Sequence, residues 1–172
     1  MKYKSDIVFV SIGSNLRALP FINNVELINF AKRKLPKIGL RIISSSKNWL
    51  SYPIPFMNIP YFINCVVKCC IINNKANNPY VLLDKIKKLE IEIGRKSNKH
   101  NFSRIIDIDI IDFKGKIIND ELILPHPRLH LRKFVLNPMK TIAQNWKHPV
   151  YKKKIDFLIS KIKSQQKLIE KL

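Results

Sequence analysis

Two aspartates stand one residue apart in an otherwise apolar run, "RIIDIDI", from Arg104 to Ile110. Isoleucine suits a β-strand, whereas aspartate is depleted there. Successive strand side chains point to opposite faces, so Asp107 and Asp109 share one face and Ile106, Ile108 and Ile110 the other. Two carboxylates side by side repel each other unless a cation lies between them. The pair is therefore either the exposed face of a half-buried strand or a divalent metal site. The spacing alone supports both.

The flanking residues are basic. Arg95, Lys96, Lys99, His100 and Arg104 precede the strand, and His126, Arg128, His130, Arg132 and Lys133 follow it. Two carboxylates hold magnesium loosely, because magnesium keeps waters and completes its shell with substrate phosphates. Arginines bind such phosphates, often through two parallel hydrogen bonds. This set suits phosphoryl-type transfer, where catalysis is mainly positioning and charge neutralisation. No Gly-x-x-x-x-Gly-Lys-Ser/Thr run occurs, which excludes a P-loop. His126 and His130 have the spacing of helical zinc ligands, but Pro125 and Pro127 oppose a helix there.

Three further residues have two readings each. Arg95 directly follows Gly94, where it would either serve the site or complement a helix C-terminus. Glu90 is either a helix-edge residue or the partner of a basic side chain in the site. Asn64 is either exposed or buried. If buried, its amide needs partners, and a heterocyclic ligand supplies both a donor and an acceptor.

Periodicity supplies the elements that must position these groups. Residues 6–12 read as a strand ending at Gly13-Ser14-Asn15. Residues 24–35 read as a helix, with Val25, Ile28, Ala31 and Leu35 on one stripe. Residues 39–51 and 61–72 read as strands, separated by a loop with prolines at 53, 55 and 60. Asn78-Pro79 is a helix start, and Leu82, Ile86, Leu89 and Ile93 continue the helix to Gly94. After the aspartate strand, "FKGK" predicts a turn into a hairpin partner at Ile117-Ile118. A helix is expected over about 135–145. Ile155, Leu158, Ile162, Ile169 and Leu172 predict a basic amphipathic helix over about 152–172. The hairpin argues against a wholly parallel sheet, so an α+β two-layer sandwich is expected.

The chain of 172 residues fits a single domain, 1–172, able to bury a core. No apolar run approaches the roughly 20 residues of a membrane span, and the N-terminus does not read as a signal peptide. Cys65, Cys69 and Cys70 are odd in number and lack a Cys-x-x-Cys pair, which argues for buried reduced thiols and a cytoplasmic location. The net charge of +20 attracts anions, but the lysines are spread along the chain. Abundant lysine, isoleucine and asparagine also fit an AT-rich genome, so the charge is weak evidence for nucleic acid.

The motifs "VSIGSNL", "YFIN" and "LEIEIGR", and above all "SRIIDIDIIDF" followed by "LPHPRLHLRKFVLNP", together resemble the 6-hydroxymethyl-7,8-dihydropterin pyrophosphokinases of folate synthesis. The resemblance runs from about residue 6 to 145. It implies a ferredoxin-like sandwich with a mainly antiparallel sheet, ATP as donor and two Mg2+ ions. A pyrophosphoryl unit would pass from ATP to the pterin hydroxymethyl oxygen, with AMP leaving. Asp107 and Asp109 match the metal-binding aspartates. Arg95 and Arg104 match basic residues flanking a loop that closes on the substrates, and His126 and Arg132 match ATP-phosphate contacts. Glu90 matches a helix position near the nucleotide. Asn64 matches the pterin-recognising amide, and Phe62 and Phe134 the two aromatics that sandwich the ring. Ser51, Pro53 and Ile54 fall on the loop meeting the pterin edge.

The chain departs from the family pattern at Ser103, where proline is frequent, at Asn101-Phe102, at Ser97 and at Lys87. The tail matches nothing specific, and a monofunctional monomer is expected. A ferredoxin-like RNA-binding module is the competing class. It needs aromatics on a Lys/Arg-Gly-Phe/Tyr-type strand, and here the corresponding strand carries acids. The intact acid pair and basic set speak against a decayed relative.

Overall fold

The computed structural model describes residues 6–54, 57–95, 103–162 and 168–171. Strand β1 (Ile7–Ser14) leads through helix α1 (Asn24–Lys34) and a short 3-10 turn to β2 (Leu40–Ser45) and β3 (Asn48–Ser51). Then follow β4 (Phe62–Ile71), α2 (Pro79–Glu92) and β5 (Asp107–Phe113), with the short strands β6 (Ile118–Asn119) and β7 (Ile123–Leu124) after them. Helices α3 (Lys133–Ile142) and α4 (Ile155–Lys161) precede a last strand, β8 (Leu168–Lys171). The main sheet has the order β5-β1-β4-β3-β8, with β2 also on β4, and every pairing is antiparallel. Taken as one interrupted strand, β2 and β3 complete a β-α-β-β-α-β unit of ferredoxin-like topology.

Local sequence explains where the helices begin. The Asn23 side chain accepts from Glu26 N at 3.0 Å, and Glu26 reaches back to Ile22 N at 2.7 Å, a reciprocal cap. Asn78 caps α2 by accepting from Tyr80 N at 2.9 Å, and Pro79 takes the first helical position, where its missing N–H costs nothing. Both helices pack on one face of the sheet. Leu27, Ile28 and Ala31 of α1 and Leu82, Ile86 and Leu89 of α2 bury against Val8, Val10, Ile12, Cys65, Val67, Ile108 and Ile110. Helices α3 and α4 add cover to part of the opposite face, where Val135, Leu136, Met139, Ile155 and Leu158 meet Phe9, Val66 and Ile111. Burial pushes the Cys65 thiol up to about 11 and Cys69 up to about 12, so both remain neutral and packed.

Three expectations change, and β5 adds a bulge beyond the residues whose alternation was read. The strand over 39–51 is divided at Ser46-Lys47, where Ser46 Oγ accepts from Val66 N at 3.0 Å and takes the place of a ladder partner. The turn at Lys114-Gly115 exists, but Ile118–Asn119 pairs with Ile123–Leu124 rather than with β5. The tail is not one helix over 152–172. Helix α4 stops at Lys161 and Leu168–Lys171 pairs with β3. An open strand edge offers a row of backbone donors and acceptors, and pairing with it outweighs a helical spacing of apolar residues. Finally, strict alternation in β5 ends at a bulge. Val10 faces Ile110 and Phe9 faces Asp112, so Ile111 is the extra residue. Ile111 joins the α3 side, Asp112 accepts from Trp146 Nε1 at 2.6 Å, and Phe113 returns to the α1/α2 side.

Gly39 turns the chain into β2 with φ +96°, and an added Cβ would lie 2.6 Å from Ala76 Cβ. Gly39→Ala is expected to lower stability by about 1–3 kcal/mol through backbone strain, with further loss from that contact. Chemical denaturation checks this, and an unchanged midpoint would contradict it.

Candidate active site

The antiparallel register places distant residues in one row across the sheet. Gly13 of β1 faces Asp107 of β5 on one side and Asn64 of β4 on the other, and Asn64 faces Trp49 of β3. Two strand spacings separate the carboxylate from the amide, roughly 10 Å. Side chains of paired residues share a face, here the face that α3 and α4 cover only in part. Asp109 lies one pleat further along β5, opposite Ser11. The alternation read from "RIIDIDI" is present: Ile106, Ile108 and Ile110 are buried, while Asp107 and Asp109 are half-exposed.

Cations from three segments converge on the two aspartates. Arg104 Nη1 lies 2.6 Å and Arg95 Nη1 3.1 Å from Asp107 Oδ1. Arg132 Nη1 lies 3.5 Å and His126 Nε2 3.7 Å from Asp109 Oδ2. The Asp107 carboxyl is nevertheless held above its usual range, first by burial and then by the charge of Asp109, with Arg104 and Arg95 opposing. His126 is pushed down to about 4 by burial and by the nearby Arg132 and Arg128 guanidiniums, so its ring is neutral at pH 7. Its Nδ1 accepts from Arg128 N at 3.1 Å, which leaves the proton on Nε2, toward Asp109. Among the described residues no third acid, histidine or cysteine joins the pair to form a cluster of three metal-ligating groups. His130 turns away, with Nε2 3.5 Å from Tyr151 Oη, so the two histidines do not converge.

Glu90, expected near the nucleotide, is only 3% exposed. It rises from α2 at the sheet edge. Its Oε1 accepts from Ile108 N at 2.7 Å, and its Oε2 pairs with Arg95. It thus reaches the aspartate face only through Arg95, whose guanidinium bridges Glu90 and Asp107. Burial pushes the Glu90 carboxyl up to about 7, against the pull of the Ile108 N–H and Arg95.

The other half of the row is polar and enclosed. Asn64 is buried, and its Nδ2 donates to Ser51 Oγ at 2.9 Å. Pro53 is buried and Ile54 is 49% exposed. Phe62 occupies the same face of β4 as Asn64, and Phe134 lies in the first turn of α3, with the Arg132 guanidinium 5.4 Å above its ring. Lys96, Ser97, Lys99, His100, Asn101 and Phe102 lie outside the described residues. Lys87 is exposed on α2.

Three contributors escaped the sequence reading. Gly13 leaves the space between Asp107 and Asn64 open, since a Cβ there would meet Asn64 Oδ1 at 2.9 Å. Asn15 is 4% exposed and bonds segments on both sides of the site. Trp49 Nε1, beside Asn64 in the row, is a buried donor without a partner among the described residues. The available signal was "GSN", a glycine and two polar residues closing an apolar strand.

Residues 9–144 match the family model of 7,8-dihydro-6-hydroxymethylpterin-pyrophosphokinase. The chain belongs to this family. It is 35% identical to the 2-amino-4-hydroxy-6-hydroxymethyldihydropteridine pyrophosphokinase of Aquifex aeolicus over 85% of this chain and 86% of that protein. It is also 35% identical to the folic acid synthesis protein of Pneumocystis carinii, over 85% of this chain but only 19% of that protein. The chain thus spans about a fifth of the length of that larger family relative. A crystal structure of a Plasmodium falciparum HPPK-DHPS shares the fold with TM-score 0.70 and 18% identity, over 96% of this chain and 49% of that one.

The Glu90 carboxyl fixes a pH dependence of stability. Its folded value, about 7, lies above its ordinary 4.5, so the folded state holds more protons between these values. The stability this group contributes is full below about 4.5 and is lost as pH rises through about 7. Relative to Glu90→Gln, the wild type is expected to lose on the order of 2 kcal/mol between about pH 5 and about pH 8. Denaturant unfolding of both proteins across that range measures the difference. A constant difference would show that Glu90 does not titrate there.

Proposed function

We propose that this chain transfers the terminal diphosphate of ATP to the hydroxymethyl oxygen of 6-hydroxymethyl-7,8-dihydropterin, releasing AMP. One observation carries the reading. A carboxylate pair ringed by arginines, suited to a polyphosphate and its metal, shares a sheet row with a buried amide suited to a flat heterocycle. The names of the Aquifex aeolicus and Pneumocystis carinii relatives support it.

Asp107 and Asp109 would hold magnesium, with phosphate oxygens and water completing the shell; two ions are expected. A carboxylate pair on one strand face, still under mutual repulsion despite adjacent arginines, fits such an ion. Bound there, magnesium would neutralise the triphosphate and orient it. The chain's own side chains do the rest. Arg95, Arg104, Arg132 and neutral His126 bind phosphate oxygens, and Glu90 holds Arg95 in position. Asn64, next to Ser51, reads the pterin edge, Phe62 and Phe134 lie against the ring faces, and Pro53 and Ile54 border it. The hydroxymethyl oxygen attacks the β-phosphorus. The bond from that phosphorus to the oxygen bridging it to the α-phosphate breaks, and AMP leaves with the bond's electrons. The hydroxyl proton passes to solvent.

The same reading places a single-domain monomer in the cytoplasm, with no nucleic acid or membrane as partner. Three buried free cysteines support that compartment. No helix among the described residues is long and apolar enough to cross a membrane.

The test is AMP release from ATP, magnesium and hydroxymethyl-dihydropterin. Asp107→Asn and Asp109→Asn are each expected to reduce turnover by about 100-fold or more while leaving thermal unfolding near wild type. Wild-type rates in either variant would remove the metal assignment. Gly13→Ala is expected to raise the KM for the pterin by about tenfold, with a smaller effect on ATP. Equal effects on both substrates would count against an open floor between the two subsites.

A further inference from the structure

Strand β8 lies outside residues 9–144, which the family model matches, and the proposed chemistry uses none of it. It stands at the end of the main sheet and pairs antiparallel along the whole of β3, from Asn48 opposite Lys171 to Ser51 opposite Leu168. On its other side β3 meets β4, with Trp49 opposite Asn64 and Ser51 opposite Phe62. Strand β3 is short and poorly anchored by its own chain. It is cut off from β2 at Ser46-Lys47, and after Ser51 it runs into the loop that carries Pro53 and Pro60. Without β8 it would be an edge strand of 4 residues, bonded on one side and open to local unfolding on the other.

What β3 carries is the heterocycle side of the site. Buried Ser51 accepts at its Oγ from Asn64 Nδ2 at 2.9 Å. That bond sets which way the amide is turned. The nitrogen goes to Ser51, and Oδ1 lies toward Gly13, where an added Cβ would meet it at 2.9 Å. The oxygen is thereby left as an acceptor in the gap that Gly13 keeps open, which suits a ring offering N–H donors at its edge. A hydroxyl can donate as well as accept, so a Ser51 that shifts no longer dictates this orientation. The place of Ser51 depends on β3. The β8 ladder adds a constraint on it that does not pass through β4, the strand of Asn64 itself.

We propose that β8 is a positioning element for the pterin subsite, holding β3 so that Ser51 keeps the Asn64 amide turned toward the heterocycle. This rests on the function proposed above. The strand acts through main-chain pairing, so its effect depends on the tail being extended rather than on the side chains it bears. The arginine-ringed aspartates stand on β5, three strand spacings from β3 and roughly 14 Å away. Loosening β3 therefore weakens the pterin and leaves the phosphate side in place.

The experiment measures 6-hydroxymethylpterin binding by titration calorimetry, with magnesium and an ATP analogue bearing a methylene group between its α- and β-phosphates held at saturation. The full chain carries Ile169→Pro together with Glu170→Pro. Adjacent strand residues direct their N–H groups to opposite sides, so one of the two prolines removes a donor to β3. Amide hydrogen exchange over Asn48–Ser51 is expected to become faster. Pterin affinity is expected to fall about tenfold while that of the analogue alone stays within about twofold, and the pterin KM to rise more than kcat falls. Ile169→Val with Glu170→Thr keeps strand propensity while changing both side chains, and is expected to match the wild type. If the double proline variant does not fold, Ile169→Pro and Glu170→Pro are made singly, and whichever speeds exchange in β3 is the one read. Faster exchange in β3 with unchanged pterin affinity overturns the proposal, as does unaltered exchange in every proline variant. Equal weakening of pterin and analogue, the result expected of a merely stabilising tail, also overturns it. So does a loss of pterin affinity in the valine and threonine variant. Wild-type AMP release is measured in parallel. Its absence defeats the functional reading, whereas turnover with unchanged pterin affinity in the proline variants defeats only the role of β8.

Discussion

Two negative charges on neighbouring outward positions of a single strand cannot stand alone, and much of the site follows from how they are offset. Strand β5 must present Asp107 and Asp109 outward, and it does so because Ile106, Ile108 and Ile110 are buried on the opposite side. The compensating groups come from the end of α2, the approach to β5 and the segment before α3, in the form of Arg95, Arg104, His126 and Arg132. Half-exposed ion pairs of this kind add little stability, typically under about 1 kcal/mol each. Their value lies in placing cations where a polyphosphate would later meet them. Stability comes instead from the two apolar clusters on either side of the sheet.

The edge position of β5 creates a second demand. The outward N–H of Ile108 has no strand beyond it, and Glu90 caps it from α2. The same carboxylate holds Arg95, so one buried acid ties strand, helix and guanidinium together. Its cost appears as a carboxyl pushed up to about 7. A buried acid kept in place despite that cost is more readily understood as a device for orientation than as a source of stability.

The register of β1 supplies the remaining constraint. Gly13 lies between the acid strand and the amide strand, and its missing side chain keeps the Asn64 oxygen accessible. Sequence separations of 43 residues between Asp107 and Asn64 and of 94 between Asp107 and Gly13 collapse into one row of the sheet. Ser14 and Asn15 follow directly and secure the backbone that carries Arg104.

Much of this was legible in the residues. The β5 alternation, the Asn78-Pro79 helix start, the Leu82–Ile93 stripe and the buried cysteines are local patterns, and each depends on steric and capping rules acting over a few residues. The roster of acids and bases around the strand was equally visible, because the chemistry of phosphate and magnesium limits which side chains serve. Other features depended on partners distant in the chain. The open edge of β3 made a strand of Leu168–Lys171, and β7 claimed Ile118–Asn119. The bulge at Ile111 came from the register with β1, and the inward turn of Glu90 from an unpaired N–H on β5. Sequence alone determined which residues carry charge, which can bury and where helices start, because those properties belong to single side chains and their near neighbours. Tertiary structure decided which cation meets which carboxylate and which glycine must stay bare, because backbone hydrogen bonds and close packing are satisfied between segments and not within them.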